Sequence, residues 1–141
     1  MDELQERLSK SIVLLLPSYL EGMIEHWTWM GFCVIHSYYP EVLEAEIKEY
    51  SIDLAIEWQH GPDDFQVRDL VRKCGKEKEV PILFTCNWNG RLPPNFSNLG
   101  YRDYLNVPWS VDSVMSKFHE VLPESKKPVL KDLWEKAEKR G

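Results

Sequence analysis

Long apolar runs are missing from this 141-residue chain. The longest, residues 12–17, falls far short of the roughly 20 residues a membrane helix needs, so no membrane span is expected. The opening residues, MDELQERLSK, are charged and polar and do not read as a secretory signal, which points to the cytoplasm. Positive charge is short: 17 Lys and Arg stand against 23 Asp and Glu, for a net charge of −6. The two ends of the chain nearly cancel, so the deficit falls on its middle, which excludes general nucleic-acid binding because that needs a basic footprint. Cysteine is scarce and odd in number. Cys33, Cys74 and Cys86 are irregularly spaced, which excludes a disulfide framework and reads as buried free thiols in a reducing compartment. His26, His36, His60 and His119 have no metal-ligand spacing with those cysteines or with one another, so no metal is expected. No glycine-rich phosphate loop follows the first apolar run. Pro17-Ser18-Tyr19-Leu20 offers only one hydroxyl-bearing cap, which argues against a flavin or any other cofactor. Internal repeats and low-complexity tracts are absent too.

What is present is an alternation of short apolar runs and helical patterns. Residues 11–16 are almost continuously Ile, Val and Leu, the mark of a strand buried on both faces. A helix follows, with Ser18 as N-cap, Glu21 completing a capping box, and Leu20, Met23, Ile24, Trp27 and Met30 on one face; Gly31 suits its end. Residues 32–36 are a second strand. Pro40 opens a helix with Leu43, Ile47 and Tyr50 inward. Residues 52–57 are the third strand, and Gln59-His60-Gly61-Pro62 is turn chemistry. Asp63 or Asp64 caps a helix carrying Val67, Leu70 and Val71 and closed by Gly75. Residues 80–86 are the fourth strand. Residues 87–100 hold Gly90, Pro93, Pro94 and four asparagines, so a loop with at most a short helical turn after Pro94 is expected. Residues 103–107 are the fifth strand. Pro108-Trp109-Ser110 leads into a helix with Val111, Val114, Met115, Phe118, Val121 and Leu122 in one stripe.

Strands alternating with helices across short connections predict one parallel sheet with helices on both faces. Five such units fit the doubly wound, flavodoxin-like order 2-1-3-4-5. The predicted organisation is a helical extension over 1–10, an α/β domain over 11–122, and a linker followed by an amphipathic helix over 123–141. That last helix carries Val129, Leu130, Leu133, Trp134 and Ala137 and is expected to pack on the domain or on a partner. The stretch Asp53-Leu-Ala-Ile-Glu57-Trp58 organises the rest, because it places a carboxylate at the carboxyl edge, where open α/β folds carry their chemistry.

Three motifs in this order resemble the receiver domain of two-component response regulators. DLAIEWQHGPDDFQVRDLVRK (53–73) is similar to the third strand, phosphoacceptor loop and third helix. VPILFT (80–85) resembles the fourth strand with its terminal hydroxyl. GYRDYLNVPWS (100–110) resembles the Gly-x-x-Asp-Tyr-Leu-x-Lys-Pro-Phe-Ser run through the fifth strand. The resemblance covers about residues 11–122 and implies a CheY-like fold with a reduced fourth helix and an extra carboxyl-terminal helix.

Receiver chemistry uses an acidic pair after the first strand and an acceptor Asp after the third, which hold Mg²⁺, with a Lys after the fifth. Carried onto this sequence, the acidic pair becomes Pro17 and Ser18, the Lys becomes Val107, and the acceptor becomes Glu57. The hydroxyl and the aromatic of the switch are kept as Thr85 and Tyr104. Losing the metal and the cation removes electrostatic terms worth roughly 3–4 kcal/mol each. The resemblance therefore implies a pseudo-receiver. It is expected to be a phosphorylation-independent, non-enzymatic signalling module in a phosphorelay-type system, with a protein partner. The expected contact surface, and the candidate homodimer face, is the fourth-helix region, fifth strand and fifth helix. One alternative is a receiver still responsive to phosphate or another small ligand. Another is a small flavodoxin-like enzyme or ligand-binding domain.

Glu57 admits two readings: a fixed mimic of a phosphorylated Asp, or a solvated Glu at a strand end. Glu57 and His60 are also three residues apart, as an acid–base pair could be, but no nucleophile or phosphate loop accompanies them. Six tryptophans are many for one small domain. Trp27 reads as core. Trp58, Trp88 and Trp109 gather near the carboxyl edge, either as interface anchors or as filling for the space left by the ion site.

Overall fold

The computed structural model describes residues 3, 10–16, 21–58, 66–85, 92–106 and 110–140. Among these, five strands form a single parallel sheet: β1 (Val13–Leu15), β2 (Cys33–Ile35), β3 (Leu54–Trp58), β4 (Ile82–Thr85) and β5 (Asp103–Leu105), in the order β2-β1-β3-β4-β5. Every neighbouring pair is parallel. The doubly wound order expected from the alternation of elements is therefore the one observed.

Five helices complete the described chain: α1 (Glu21–Met30), α2 (Pro40–Glu49), α3 (Gln66–Lys73), α4 (Val111–Val121) and α5 (Lys127–Arg140). None is long and apolar enough to cross a membrane. Apart from Glu3, which is helical, and Lys10, the expected amino-terminal helix lies outside the described residues, as do the Ser18, Asp63 and Asp64 caps. Pro40 occupies the first turn of α2, where its missing N–H costs nothing. Ser110 accepts from the Ser113 amide, while the Ser113 hydroxyl takes the Ser110 amide, a reciprocal capping box. After Lys73 the turn is closed by Gly75, which takes a positive φ of 69°.

Side chains alternate along each strand, so the sheet divides the core in two. Leu14, Leu16, Leu54, Ile56, Leu83 and Leu105 face α1 and α4, with Trp27, Phe32 and Phe118 meeting ring against ring. Val13, Leu15, Ala55, Ile82 and Phe84 face α2 and α3. Trp27 is fully buried in the first of these layers, as its helical position predicts.

Two expectations are corrected. Residues 123–128 do not form a simple linker. Glu124–Lys126 is a 3-10 turn and α5 starts at Lys127, so Pro128 falls in its first turn, where proline is tolerated. The Lys126 ammonium bonds the Ser11 carbonyl and approaches the Asp53 carboxylate at 3.5 Å, while Asp53 accepts from the Val13 amide at 2.8 Å. The root of α5 is thereby tied to β1 and β3. Leu130 is completely buried, and Val129, Leu133, Trp134 and Ala137 pack against the α1–α4 layer, so α5 docks on its own domain. The second correction concerns the thiols: Cys33 and Cys74 are only half-buried, and Cys86 lies outside the described residues.

Candidate functional site

At the carboxyl edge of the sheet, β3 and β4 run in register with Glu57 opposite Phe84 and Trp58 opposite Thr85. Residues paired in a parallel ladder share a face, and adjacent residues point to opposite faces. Trp58 and Thr85 therefore stand together on the α1–α4 side. Glu57 lies on the other side, with Ala55 and Phe84. The residue beside Thr85 is therefore Trp58, which is half-buried, and not Glu57, the residue carried over as the acceptor.

Glu57 is not a solvated group at a strand end either. It is 1% exposed. Its Oε2 accepts from the Val67 amide at 2.9 Å, and its Oε1 accepts from the Arg68 amide at 3.1 Å and from the Tyr101 hydroxyl at 2.9 Å. The first turn of a helix leaves amide donors without intrahelical acceptors and carries the positive end of the helix dipole. A carboxylate delivered from β3 meets both needs for α3. Taking a carboxylate out of water costs several kcal/mol, and good hydrogen bonds are what offset that cost. Each hydrogen bond to a charged acceptor contributes roughly 1.5–3 kcal/mol.

Tyr101 enters β5 just after Gly100, whose φ of 94° turns the chain into the strand. Burial pushes the Tyr101 hydroxyl far above its ordinary pKa, and the Glu57 charge and hydrogen bond push it further the same way. Tyr101 is therefore a fixed donor at any physiological pH. Its ring stacks on Phe96 at 5.6 Å with an interplanar angle of 6°, and Phe84 lies 5.0 Å away. Phe96 begins the 3-10 turn Phe96–Asn98, which stands where a reduced fourth helix was expected. Two arginines of α3 hold the end of that turn: Arg68 Nη1 and Arg72 Nη2 donate to the Leu99 carbonyl at 3.3 and 2.9 Å.

Thr85 is 1% exposed, and its Oγ1 finds no hydrogen-bond partner among the described residues. Tyr104 pairs with Phe84, so it faces away from Thr85; its ring is 37% exposed and meets the Phe96 edge at 6.0 Å. The structure thus does not bring the two switch residues onto one face. On β5, Asp103 accepts from Lys117 of α4 at 2.8 Å. Burial pushes the Asp103 carboxyl up, but the Lys117 hydrogen bond, the Tyr104 amide and the Lys117 charge outweigh it and hold the group below its ordinary value.

Pro17, Ser18, Trp88, Val107 and Trp109 lie outside the described residues, as does His60. Among the described residues no group of three or more His, Cys, Asp and Glu side chains converges as a metal site. Sequence reading missed Tyr101 and the α3 amides as partners of Glu57. The available signal was a tyrosine at a buried strand entry, whose hydroxyl needs an acceptor.

No protein-family model matches the chain, and no curated protein matches it. Solved structures do. A CheY-like receiver domain from Methanospirillum hungatei superposes with a TM-score of 0.61 at 19% identity, covering 84% of this chain and 98% of its own. The chemotaxis protein CheY4 of Vibrio cholerae gives 0.61 at 15% identity, covering 79% of this chain and 99% of its own. The response regulator TrrA, solved in complex with the histidine kinase ThkA, gives 0.59 at 14% identity over 79% of this chain and 99% of that one. The fold is that of response-regulator receiver domains.

Proposed function

We propose that this protein is a receiver-like signalling module that works through protein contacts and does not depend on phosphorylation of a carboxylate. One observation carries the reading. Trp58 stands beside Thr85 at the edge where a receiver presents its acceptor, and the nearest carboxylate, Glu57, is turned to the opposite face and engaged by α3 and Tyr101. An indole offers no oxygen to a phosphoryl group or to Mg²⁺. The residues aligned with the acidic pair and the Lys, at Pro17, Ser18 and Val107, support the same conclusion from sequence. The module is read as a cytoplasmic, non-enzymatic component of a two-component-type system.

A receiver-fold neighbour, TrrA, assembles with a histidine kinase. By that likeness the partner here is a protein. The surface offered is the 96–104 region with α4, where Tyr104 and Val111 are exposed and Phe96 is partly so; the same surface serves a homodimer if one forms. Trp58 is a candidate anchor, as are Trp88 and Trp109, which lie outside the described residues.

The test is an NMR titration with Mg²⁺ and beryllofluoride. A flat titration at Trp58 and Thr85 is expected, and saturable shifts there overturn the reading. A second reading, a receiver that still binds phosphate or another small anion, is favoured by the buried Thr85 hydroxyl without a partner among the described residues. In the same titration it requires shifts at Thr85 with phosphate alone.

A further inference from the structure

We propose that Glu57 is an internal anion that sets the conformation of the 92–104 surface, in the role that a phosphoryl group delivered from outside would otherwise fill. This rests on the phosphorylation-independent reading and deepens it by naming what holds the surface when nothing is added.

The geometry that carries it is a junction of three segments. Glu57 belongs to β3, the amides it captures belong to α3, and the hydroxyl it captures belongs to the residue that enters β5. The same carboxylate oxygen, Oε1, receives both the Arg68 amide and the Tyr101 hydroxyl, so α3 and β5 are held to one atom. A second link runs parallel to the first, because Arg68 and Arg72 of α3 bond the Leu99 carbonyl two residues before Tyr101. From Tyr101 the contacts run outward: its ring lies flat on Phe96, and the Phe96 ring meets Tyr104 nearly perpendicular, at 87°. Tyr104 is the exposed end of that series. A change at one buried atom is thereby relayed to an aromatic surface on the same face of the sheet as Glu57. A simple helix cap would need only the two α3 amides. The third bond, to Tyr101, makes Glu57 a latch as well as a cap.

Hydrogen exchange followed by NMR on the full chain, in Glu57→Gln and in Tyr101→Phe, tests this. Tyr101→Phe keeps the carboxylate and both α3 bonds and removes only the link to β5. In both variants amide exchange over residues 96–105 is expected to accelerate about tenfold or more relative to the Leu14 and Ile56 strand amides, with shifted Phe96 and Tyr104 ring resonances. In Glu57→Gln the Val67 and Arg68 amides also lose protection. Unchanged exchange and unchanged ring resonances over 96–105 in both variants overturn the proposal and leave Glu57 a local cap. If Glu57→Gln does not fold, Tyr101→Phe decides alone. No phosphoryl reagent enters this experiment. A saturable beryllofluoride response would therefore remove the phosphorylation-independent reading while the exchange result still decided the latch by itself.

Discussion

Glu57 and Tyr101 are 44 positions apart in the chain and 2.9 Å apart in space, joined by a buried hydroxyl-to-carboxylate hydrogen bond. Together with the two α3 amides, this bond brings three donors to a carboxylate that would otherwise be costly to bury. Glu57→Gln retains the shape but replaces one acceptor oxygen by a donor facing an amide. It is expected to lower the unfolding free energy by about 2–4 kcal/mol, from a lost charge-assisted bond and a lost helix-dipole interaction. Urea denaturation reads this as a lower midpoint at unchanged slope; a midpoint equal to the parent's would mean that the carboxylate contributes nothing to the fold.

Thr85 presents the opposite case. Its hydroxyl is buried without a partner among the described residues, so the fold carries its desolvation cost of about 1–3 kcal/mol. Thr85→Val replaces the hydroxyl by a methyl group of similar size. The variant is expected to match or exceed the parent in stability, by up to about 1 kcal/mol. A loss of more than that in thermal or urea unfolding would show that the hydroxyl is satisfied.

Asp103 and Lys117 join β5 to α4 at 2.8 Å and titrate with opposite signs. The depressed Asp103 contributes stability that is present above its unfolded pKa of about 3.9 and is lost as pH falls through its lower folded value. Hydrogen bonding to Asp103, despite opposing desolvation, raises Lys117. Its contribution is present below an unfolded pKa of about 10.4 and is lost as pH rises through the folded value. The pair therefore acts between these limits and is worth roughly 0.5–1 kcal/mol, because both groups are partly exposed. Melting temperatures from pH 7 to pH 3 should fall less steeply in Asp103→Asn than in the parent. Equal slopes would remove the pair from the acid limb.

The carboxyl-terminal helix should behave as part of the core. Leu130→Ala is expected to cost about 2–5 kcal/mol, since the side chain is wholly buried between α1 and α4. Gly31→Ala tests the same contact from the other side. Gly31 has a φ of 107°, and a Cβ there would meet Leu133 Cδ2 at 2.6 Å. Destabilisation of roughly 1–3 kcal/mol is expected from strain and displacement of α5. Calorimetry on both variants checks this; near-parental melting in both would mean that α5 is loosely attached.

Most of the architecture was legible in the residues. Apolar runs of strand length between helical stripes dictate a parallel sheet. The paired prolines at 93 and 94 dictate that the fourth helix shrinks to the 3-10 turn at Phe96–Asn98. The amphipathic stripe of Val129, Leu130 and Leu133 dictates that α5 packs on something. The choice of its own domain came from tertiary contacts, Lys126 on Ser11 and Leu130 in the core.

The direction of Glu57 was beyond the sequence for a definite reason. Alternation of apolar and polar residues tells which face a side chain takes, but Leu54-Ala-Ile is apolar on both faces and carries no alternation. A reading off by one residue fits such a strand equally well, and one residue turns a side chain to the other face of the sheet. The β3–β4 ladder removes that freedom by setting Trp58 opposite Thr85 and Glu57 opposite Phe84. By itself the sequence determined that an acid lies near the edge of the central strand. Only the tertiary structure decided that this acid faces α3 and Tyr101, because hydrogen-bond register is a property of paired strands and not of one strand alone.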